Sequence, residues 1–568
     1  LSLNGTEAGE VRVLDVATGE ALPDRVPRVH GGTAGGDLVW AADGNGFFYT
    51  RYPAPGERAP EDLAFYQQLY FHTLGQEPAR DRYELGQDLP RIAELRLQLD
   101  VASRRLLASV QNGDGGEFAH YLREPSGAWR QLSGFTDQIT HVTFAPGKRL
   151  LAVSLRDAPR GKLLSASVGA HDLSGATVLV PESEAAIVTR FWDGGAMAVS
   201  SRRIYLTYQL GGPSFVRAFD LQGKALAWEE PLPVASVAGL TLDGARAVVL
   251  RSQSFSVPAA WYRFDEARGQ LQRTRLAEES PVALAGVRVV REEATSKDGT
   301  RVPFSVLVPA DAKQDGSGAC VATGYGGYGL SLEPRYRPSD VLWLEQGVCV
   351  VVANLRGGSE FGERWHQQGM RERKQNVFDD FAAVLAQLVA RGYTSPARLG
   401  IIGGSNGGLL MGATLVQHPT QIKAVVSFVG MYDMLREELS PNGAFNVTEF
   451  GSVREPGQFA ALHAYSPYHH VRDGVAYPAT LLSTGENDPR VGPMQTRKMA
   501  ARLQAASAGP APVLFRSELA GGHGSDLALD EKVAEKTDVS AFMLDQLGVR
   551  YVSPAGGAAS GAGNEAVR

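Results

Sequence analysis

From about residue 285 to residue 547, apolar runs of strand length alternate with stretches of helical periodicity, and this constrains the fold more than any other feature of the chain. The strand candidates are Phe304–Val308, Ala319–Tyr325, Val348–Asn354, Leu399–Gly403, Ala424–Val429, Ala479–Thr484 and Val513–Leu519. Between them Val377–Arg391, Asn406–Gln417, Met494–Ala506 and Asp530–Leu547 repeat apolar residues at helical spacing. Strands that return through helices lie mostly parallel, and such a sheet needs cover on both faces. This half therefore predicts an α/β domain.

The first half reads as β throughout. Short apolar runs recur in Leu38–Tyr52, Glu94–Val110, His141–Leu155, Arg202–Gln209 and Leu240–Ser252. Several share one shape, an apolar strand, a polar Gly turn (Asp43-Gly44, Pro146-Gly147, Asp243-Gly244) and a second apolar strand. Their spacing, roughly 50 residues, suits a four-stranded propeller blade, with an array of β-sandwiches as the alternative. The expected organisation is a β-propeller over residues 1–283, a catalytic α/β domain over 284–552 and a disordered Gly/Ala/Ser-rich tail over 553–568.

Bulk composition narrows the function. The 568 residues are 43% apolar and 21% charged, enough to bury ordinary cores in two domains. A net charge of -6 without a basic run argues against a nucleic-acid partner. No apolar stretch approaches the roughly 20 residues that span a bilayer, so no membrane partner is expected. Two cysteines, Cys320 and Cys349, sit in apolar strand-like runs and are expected as buried free thiols. The chain opens at Leu1, so a leader is not legible. Cytoplasm is the expected compartment, with periplasm and secretion left open, and the expected state is monomeric.

The segment Leu399–Gln417 carries Gly403-Gly404-Ser405-Asn406-Gly407, a G-x-S-x-G pentapeptide. In a chain with 65 glycines the pentapeptide alone is weak. Its context is strong, because a buried strand enters, a helix leaves and small residues permit a sharp turn that exposes the serine. A serine hydroxyl needs a base. In an α/β-hydrolase the acid and then the histidine follow the serine in chain order. Of His418, His463, His469, His470 and His523, only His523 comes after the strand–loop segment LLSTGENDPRV, in a Gly-flanked loop. Asp488 follows the preceding strand and is the expected acid. Asp433 is the second candidate, and Asp473 has no strand leading into it. The backbone N–H of Asn406 is one oxyanion donor, and a tyrosine of Gly324-Tyr325-Gly326-Gly327-Tyr328 is a candidate for another.

The strings TGYGGYG (323–329), VVVANLRGGSEFGERWHQQG (350–369), KQNVFDDF (374–381), GYTSPARLGIIGGSNGGLL (392–410), AYSPYHHV (464–471), NDPRV (487–491) and GGHG (521–524) resemble the prolyl oligopeptidase family of serine peptidases. GFFYTRYP (46–53) extends the resemblance into the β-rich half. The resemblance implies a seven-bladed propeller over an α/β-hydrolase active site that admits oligopeptides but not folded proteins, with no metal or organic cofactor. It implies a triad of Ser405, Asp488 and His523, and an oxyanion hole of Tyr325 and the Asn406 N–H. Arg490 would bind a substrate carbonyl, and Tyr328, Asn446, Phe445 and Val491 would line the substrate pocket.

Two departures shape the expectations. Asn446 holds the position of a Trp on which proline-specific members stack the proline ring, so weak preference for proline at P1, the residue whose carbonyl is attacked, is expected unless Phe445 substitutes. Asn446 and Thr448 also fall where the Arg/Lys-specific type carries acids. The family's N-terminal segment and first blade have no counterpart, so five to six blades are expected. The leading reading is thus an endopeptidase on oligopeptides acting through an acyl-enzyme. The alternatives are an acyl-aminoacyl hydrolase or esterase of the same fold, and a propeller binding protein with a vestigial hydrolase domain.

Overall fold

Alternate residues of the strand segments 302–308 and 349–352 feed two different apolar layers: Val302, Phe304, Val306, Cys349 and Val351 one, Leu307, Val350 and Val352 the other. That period of two, buried on both sides, is what a covered sheet requires. The computed structural model of the chain describes residues 5–29, 35–115, 117–189, 197–244, 247–280, 284, 286–524 and 527–553. The expected tail lies, from residue 554 on, outside the described residues.

The α/β half is one eight-stranded sheet. Its strands are β1 (Arg288–Thr295), β2 (Arg301–Val308), β3 (Cys320–Thr323), β4 (Cys349–Ala353), β5 (Leu399–Gly404), β6 (Ala424–Phe428), β7 (Ala479–Gly485) and β8 (Val513–Glu518). The spatial order is β1-β2-β4-β3-β5-β6-β7-β8. β1 and β2 form an antiparallel hairpin and β2 runs antiparallel to β4; all later pairings are parallel. The helices that cover the sheet include α1 (Pro338–Glu345), α2 (Gln375–Ala390), α3 (Asn406–Gln417), α4 (Met494–Ala506) and α5 (Leu529–Gln546). α2, α3 and α4 pack Phe378, Phe381, Leu409 and Met499 into one layer. α1 and α5 pack Trp343, Phe542 and Met543 into the other. β1 was not among the sequence candidates. Its string, RVVREEAT, buries only Ala294 because it lies at the sheet edge. Both cysteines are buried and free.

The first half forms antiparallel sheets. A two-stranded sheet pairs Glu10–Leu14 with Ala21–Pro27. Four four-stranded sheets follow over residues 38–85, 93–133, 139–180 and 235–277, with a five-stranded sheet over 186–226 between the last two. Each sheet packs face to face with the next. Leu107 and Leu122 meet Val142 and Leu150, Leu151 and Leu163 meet Ile204 and Leu206, and Tyr205 and Val216 meet Val248 and Leu250. Radial stacking of this kind is a β-propeller. No helix among the described residues is long and apolar enough to cross a membrane.

The propeller seats on the loops beyond the hydrolase strands. Gly211 N–H donates to Glu360 O (2.9 Å), Glu363 N–H to Pro159 O (2.8 Å) and Ser236 Oγ to Pro334 O (2.7 Å). Phe65 stacks on Phe445 with ring centroids 5.2 Å apart. The contact is also close at the turn 113–115, where a Cβ on Gly115 would lie 2.3 Å from Thr448 Cβ. Only glycine fits there, and the fit places Asp114 beside the catalytic half.

Candidate active site

β5 runs into α3 through Ser405, whose backbone sits at φ +57° and ψ −123°. A non-glycine residue in that region is strained by about 1–3 kcal/mol and is held only by its surroundings. Here Ser405 N–H donates to Phe428 O (3.0 Å), and Ser405 O accepts from the N–H groups of Gly408 (2.8 Å) and Leu409 (3.0 Å). α3 enters the core this closely because Gly408 has no side chain: a Cβ there would lie 2.6 Å from Gly430 Cα. The serine is thus presented at a helix N-terminus above the sheet edge.

Asp488 follows β7. Its Oδ1 accepts the N–H groups of Arg490 and Val491, both at 2.9 Å. Its Oδ2 lies 2.7 Å from His523 Nδ1. An ionised carboxylate can only accept, so Nδ1 carries the proton and Nε2 is left as the basic nitrogen. The competing acids are engaged elsewhere. Asp433 pairs with Lys498 and lies 3.8 Å from His469, and Asp473 pairs with Arg502 at the surface. Ser405 and His523 line one cavity of about 680 Å³. No hydrogen bond joins them in this structure. Such bonds are often long in ligand-free enzymes and tighten when substrate binds.

Tyr325 and Tyr328 line the same cavity. Tyr325 follows β3 in a loop rather than ending the strand, which stops at Thr323. Its carbonyl accepts Asn406 Nδ2 at 2.6 Å. Burial pushes the Tyr325 phenol up to about 12, against a hydrogen bond with Ser405, so it is a proton donor at neutral pH. The Asn406 N–H is at the first position of α3, where a helix leaves its donors without intrahelical partners.

A buried ionic cluster, not read from the sequence, holds this loop. Lys374 Nζ donates to Gly326 O (2.9 Å) and to Glu449 Oε1 (2.8 Å), and His366 Nε2 lies 2.8 Å from Glu449 Oε2. Burial would raise the Glu449 carboxyl, but the Lys374 and His366 charges outweigh it and hold it at about 2. Burial would lower the His366 imidazole, but Glu449 and Glu363 push it up to about 10. The string KQNVFDDF contained Lys374 without any sign of its partner 75 residues away.

Arg490, Val491, Tyr328 and Asn446 line the cavity. Phe445 does not; it is buried against Phe65, so it cannot replace the missing Trp wall. The propeller half contributes Gln111 and Asp114 to the cavity wall and Glu7 to Arg490, none of them read from the sequence. Glu7 Oε2 accepts Arg490 Nε at 2.8 Å. Asp114 lines the cavity and, after burial, is the next cause that raises the Tyr328 phenol.

Comparison with known proteins agrees with this architecture. A model described as the prolyl oligopeptidase family matches residues 334–550, and one for its N-terminal β-propeller domain matches residues 1–276. A prolyl endopeptidase of Elizabethkingia miricola is 29% identical over 559 residues, covering 97% of this chain and 77% of that protein. A Sinorhizobium fredii protein described as an uncharacterized peptidase is 30% identical over 559 residues, covering 96% and 76%. A solved structure from a study of two prolyl endopeptidases superimposes with a TM-score of 0.89 at 31% identity, covering 96% of this chain and 79% of that one. The chain belongs to the prolyl oligopeptidase family of serine peptidases.

Proposed function

We propose that the chain, with a propeller over residues 1–283 and a catalytic domain over 284–552, hydrolyses short peptides with Ser405, His523 and Asp488 as its triad. His523 Nε2 takes the Ser405 proton as Oγ attacks the scissile carbonyl, and returns it to the leaving amine. Asp488 keeps the imidazole oriented and balances the imidazolium. The Tyr325 hydroxyl and the Asn406 N–H meet the developing oxyanion. Water, activated by the same histidine, then releases the acyl group. Arg490 has one N–H committed to Glu7, which leaves its terminal nitrogens to hold a substrate carbonyl. Tyr328, Asn446 and Val491 surround the P1 side chain. The propeller roofs the cavity and favours short, flexible chains over folded proteins.

The observation that carries this reading is the Asp488–His523 contact in the cavity that Ser405 opens into, at a strained strand–helix turn. Labelling with a fluorophosphonate, together with turnover of a mixed peptide library, tests it. Ser405→Ala is expected to abolish labelling and to lower kcat by about 10⁴- to 10⁶-fold. Peptidase activity within tenfold of wild type would overturn the assignment. Labelling without peptide turnover would favour an esterase. Monomeric state and cytoplasmic location belong to the same proposal, and size-exclusion chromatography and cell fractionation check them.

A further inference from the structure

Behind the P1 wall lies a chain of polar groups whose hydrogen-bond directions converge on one buried carboxylate, Glu437. Gln495 Oε1 accepts the backbone N–H groups of Tyr432 (3.0 Å) and Asp433 (2.7 Å). Its amide cannot flip without facing donors with donors, so Nε2 must donate, and it does so to Glu437 Oε2 at 2.8 Å. Glu437, only 2% exposed, receives Asn446 Nδ2 on its other oxygen at 3.0 Å, with Ser440 Oγ 3.4 Å away. The Asn446 amide is thereby oriented in turn, with Oδ1 outward, and Tyr328 Oη donates to it at 3.0 Å. Tyr328 spends its only proton on this bond. Of the four groups, Tyr328 and Asn446 line the cavity, whereas Glu437 and Gln495 do not.

From this geometry we infer that Glu437 is a specificity-determining residue: through Asn446 it turns Tyr328 into a hydrogen-bond acceptor, so the pocket selects P1 side chains that end in a donor, lysine foremost, over proline. The inference rests on the proposed peptidase reading and on Tyr328 and Asn446 facing P1. Asp114 favours a cation over a neutral donor, because its carboxylate lines the same cavity. Proline offers no donor and meets a polar edge where a ring would need an apolar wall.

One atom reverses the chain. In Glu437→Gln, Gln495 still donates, so the new side chain must turn its oxygen to Gln495 and its NH₂ to Asn446. The Asn446 amide then flips, its NH₂ faces Tyr328, and the Tyr328 O–H is released to point into the pocket as a donor. The test measures kcat/KM of the full chain on blocked Gly-Xaa fluorogenic amides with lysine, norleucine or proline as Xaa. Wild type is expected to favour lysine over norleucine by about 10- to 100-fold, as a charge-assisted hydrogen bond allows. Glu437→Gln should lower that ratio at least tenfold. Tyr328→Phe, which removes the acceptor oxygen, should lower it likewise and supplies the result if Glu437→Gln does not fold. A ratio unchanged within twofold in the folded variants, or a wild type that prefers proline to lysine, overturns this inference alone. Turnover of none of the three substrates by wild type that still labels at Ser405 overturns the peptidase reading, and this inference with it.

Discussion

Replacing Tyr325 by Phe removes one hydroxyl, with its hydrogen bond to Ser405, and should leave the backbone of the loop in place. The ring's position is set by its backbone: Asn406 Nδ2 holds the Tyr325 carbonyl at 2.6 Å, and Lys374 Nζ holds the next carbonyl, Gly326 O, at 2.9 Å. Neither contact involves the hydroxyl, so the loop and the pocket should survive. What disappears is the hydroxyl's hydrogen bond with Ser405 and one of the two donors proposed for the oxyanion, the other being the Asn406 N–H. Removal of one such donor typically costs about 2–4 kcal/mol of transition-state stabilisation, on the order of 10²–10³-fold in kcat. The ground-state carbonyl is bound weakly by the same group, so KM should change by less than about threefold. Steady-state kinetics on a well-cleaved peptide amide, with fluorophosphonate labelling as a control for an intact Ser405, gives both numbers. A raised KM with kcat unchanged would show that the hydroxyl binds substrate and that the oxyanion hole is built elsewhere.

Two further outcomes follow from the buried charges. Lys374→Met leaves Gly326 O without its donor and removes one of the two cations on Glu449. Loss of one partner from a buried pair costs about 3–5 kcal/mol, so a marked fall in the urea midpoint is expected, and a loss below about 1 kcal/mol would show that the ammonium is not needed there. Burial raises the Glu437 carboxyl to about 7 against the donors Asn446, Ser440 and Gln495, with the Asp488 charge adding to the rise and the Tyr328 and Tyr465 phenols within the same field. The group is ionised above that pH and neutral below it, and the neutral acid can donate to Asn446 as the glutamine variant does. The lysine-to-norleucine ratio of kcat/KM should therefore fall as pH drops through about 7. A ratio that is flat from pH 5.5 to 8.5 would refute this.

The parts legible in the sequence are those encoded locally. The Ser405 elbow needs a strand, a tight turn and a helix within about 20 residues, and all three are visible in one string. His523 and Asp488 were picked out by their order after strands, and the structure places them 2.7 Å apart. Blade-like repeats were visible because each sheet alternates apolar residues that meet the next sheet. β1 escaped because an edge strand with one buried residue has no apolar pattern to read. Phe445 was read as a pocket residue because only its neighbourhood in the chain was known, and its ring partner Phe65 lies 380 residues earlier. Glu7 and Asp114 were invisible for the same reason: the Glu7–Arg490 bond spans 483 residues. Charged side chains such as Glu437, Lys374 and Glu449 read as surface by default, and only the fold shows them buried and paired.

The identity of residue 446 alone gives an incomplete account of the P1 pocket. An asparagine presents a donor and an acceptor that differ only by rotation, so its effect on a substrate depends on which way it faces. Here the direction is set one residue further from the substrate, by the ionised Glu437 carboxylate, which can only accept. Glu437 imposes it on Asn446 and, through Asn446, on Tyr328, while Gln495, held by the backbone N–H groups of Tyr432 and Asp433, keeps a donor on the other carboxylate oxygen. The links among Gln495, Glu437 and Asn446 are buried, so a reversed link there would leave like groups facing one another, at a cost of about 1–3 kcal/mol per unsatisfied group. The polarity of the wall is therefore a property of the whole chain of bonds. A relative with asparagine at this position but an apolar residue in place of Glu437 would present the amide in the other sense, or in both, and should not share the selectivity.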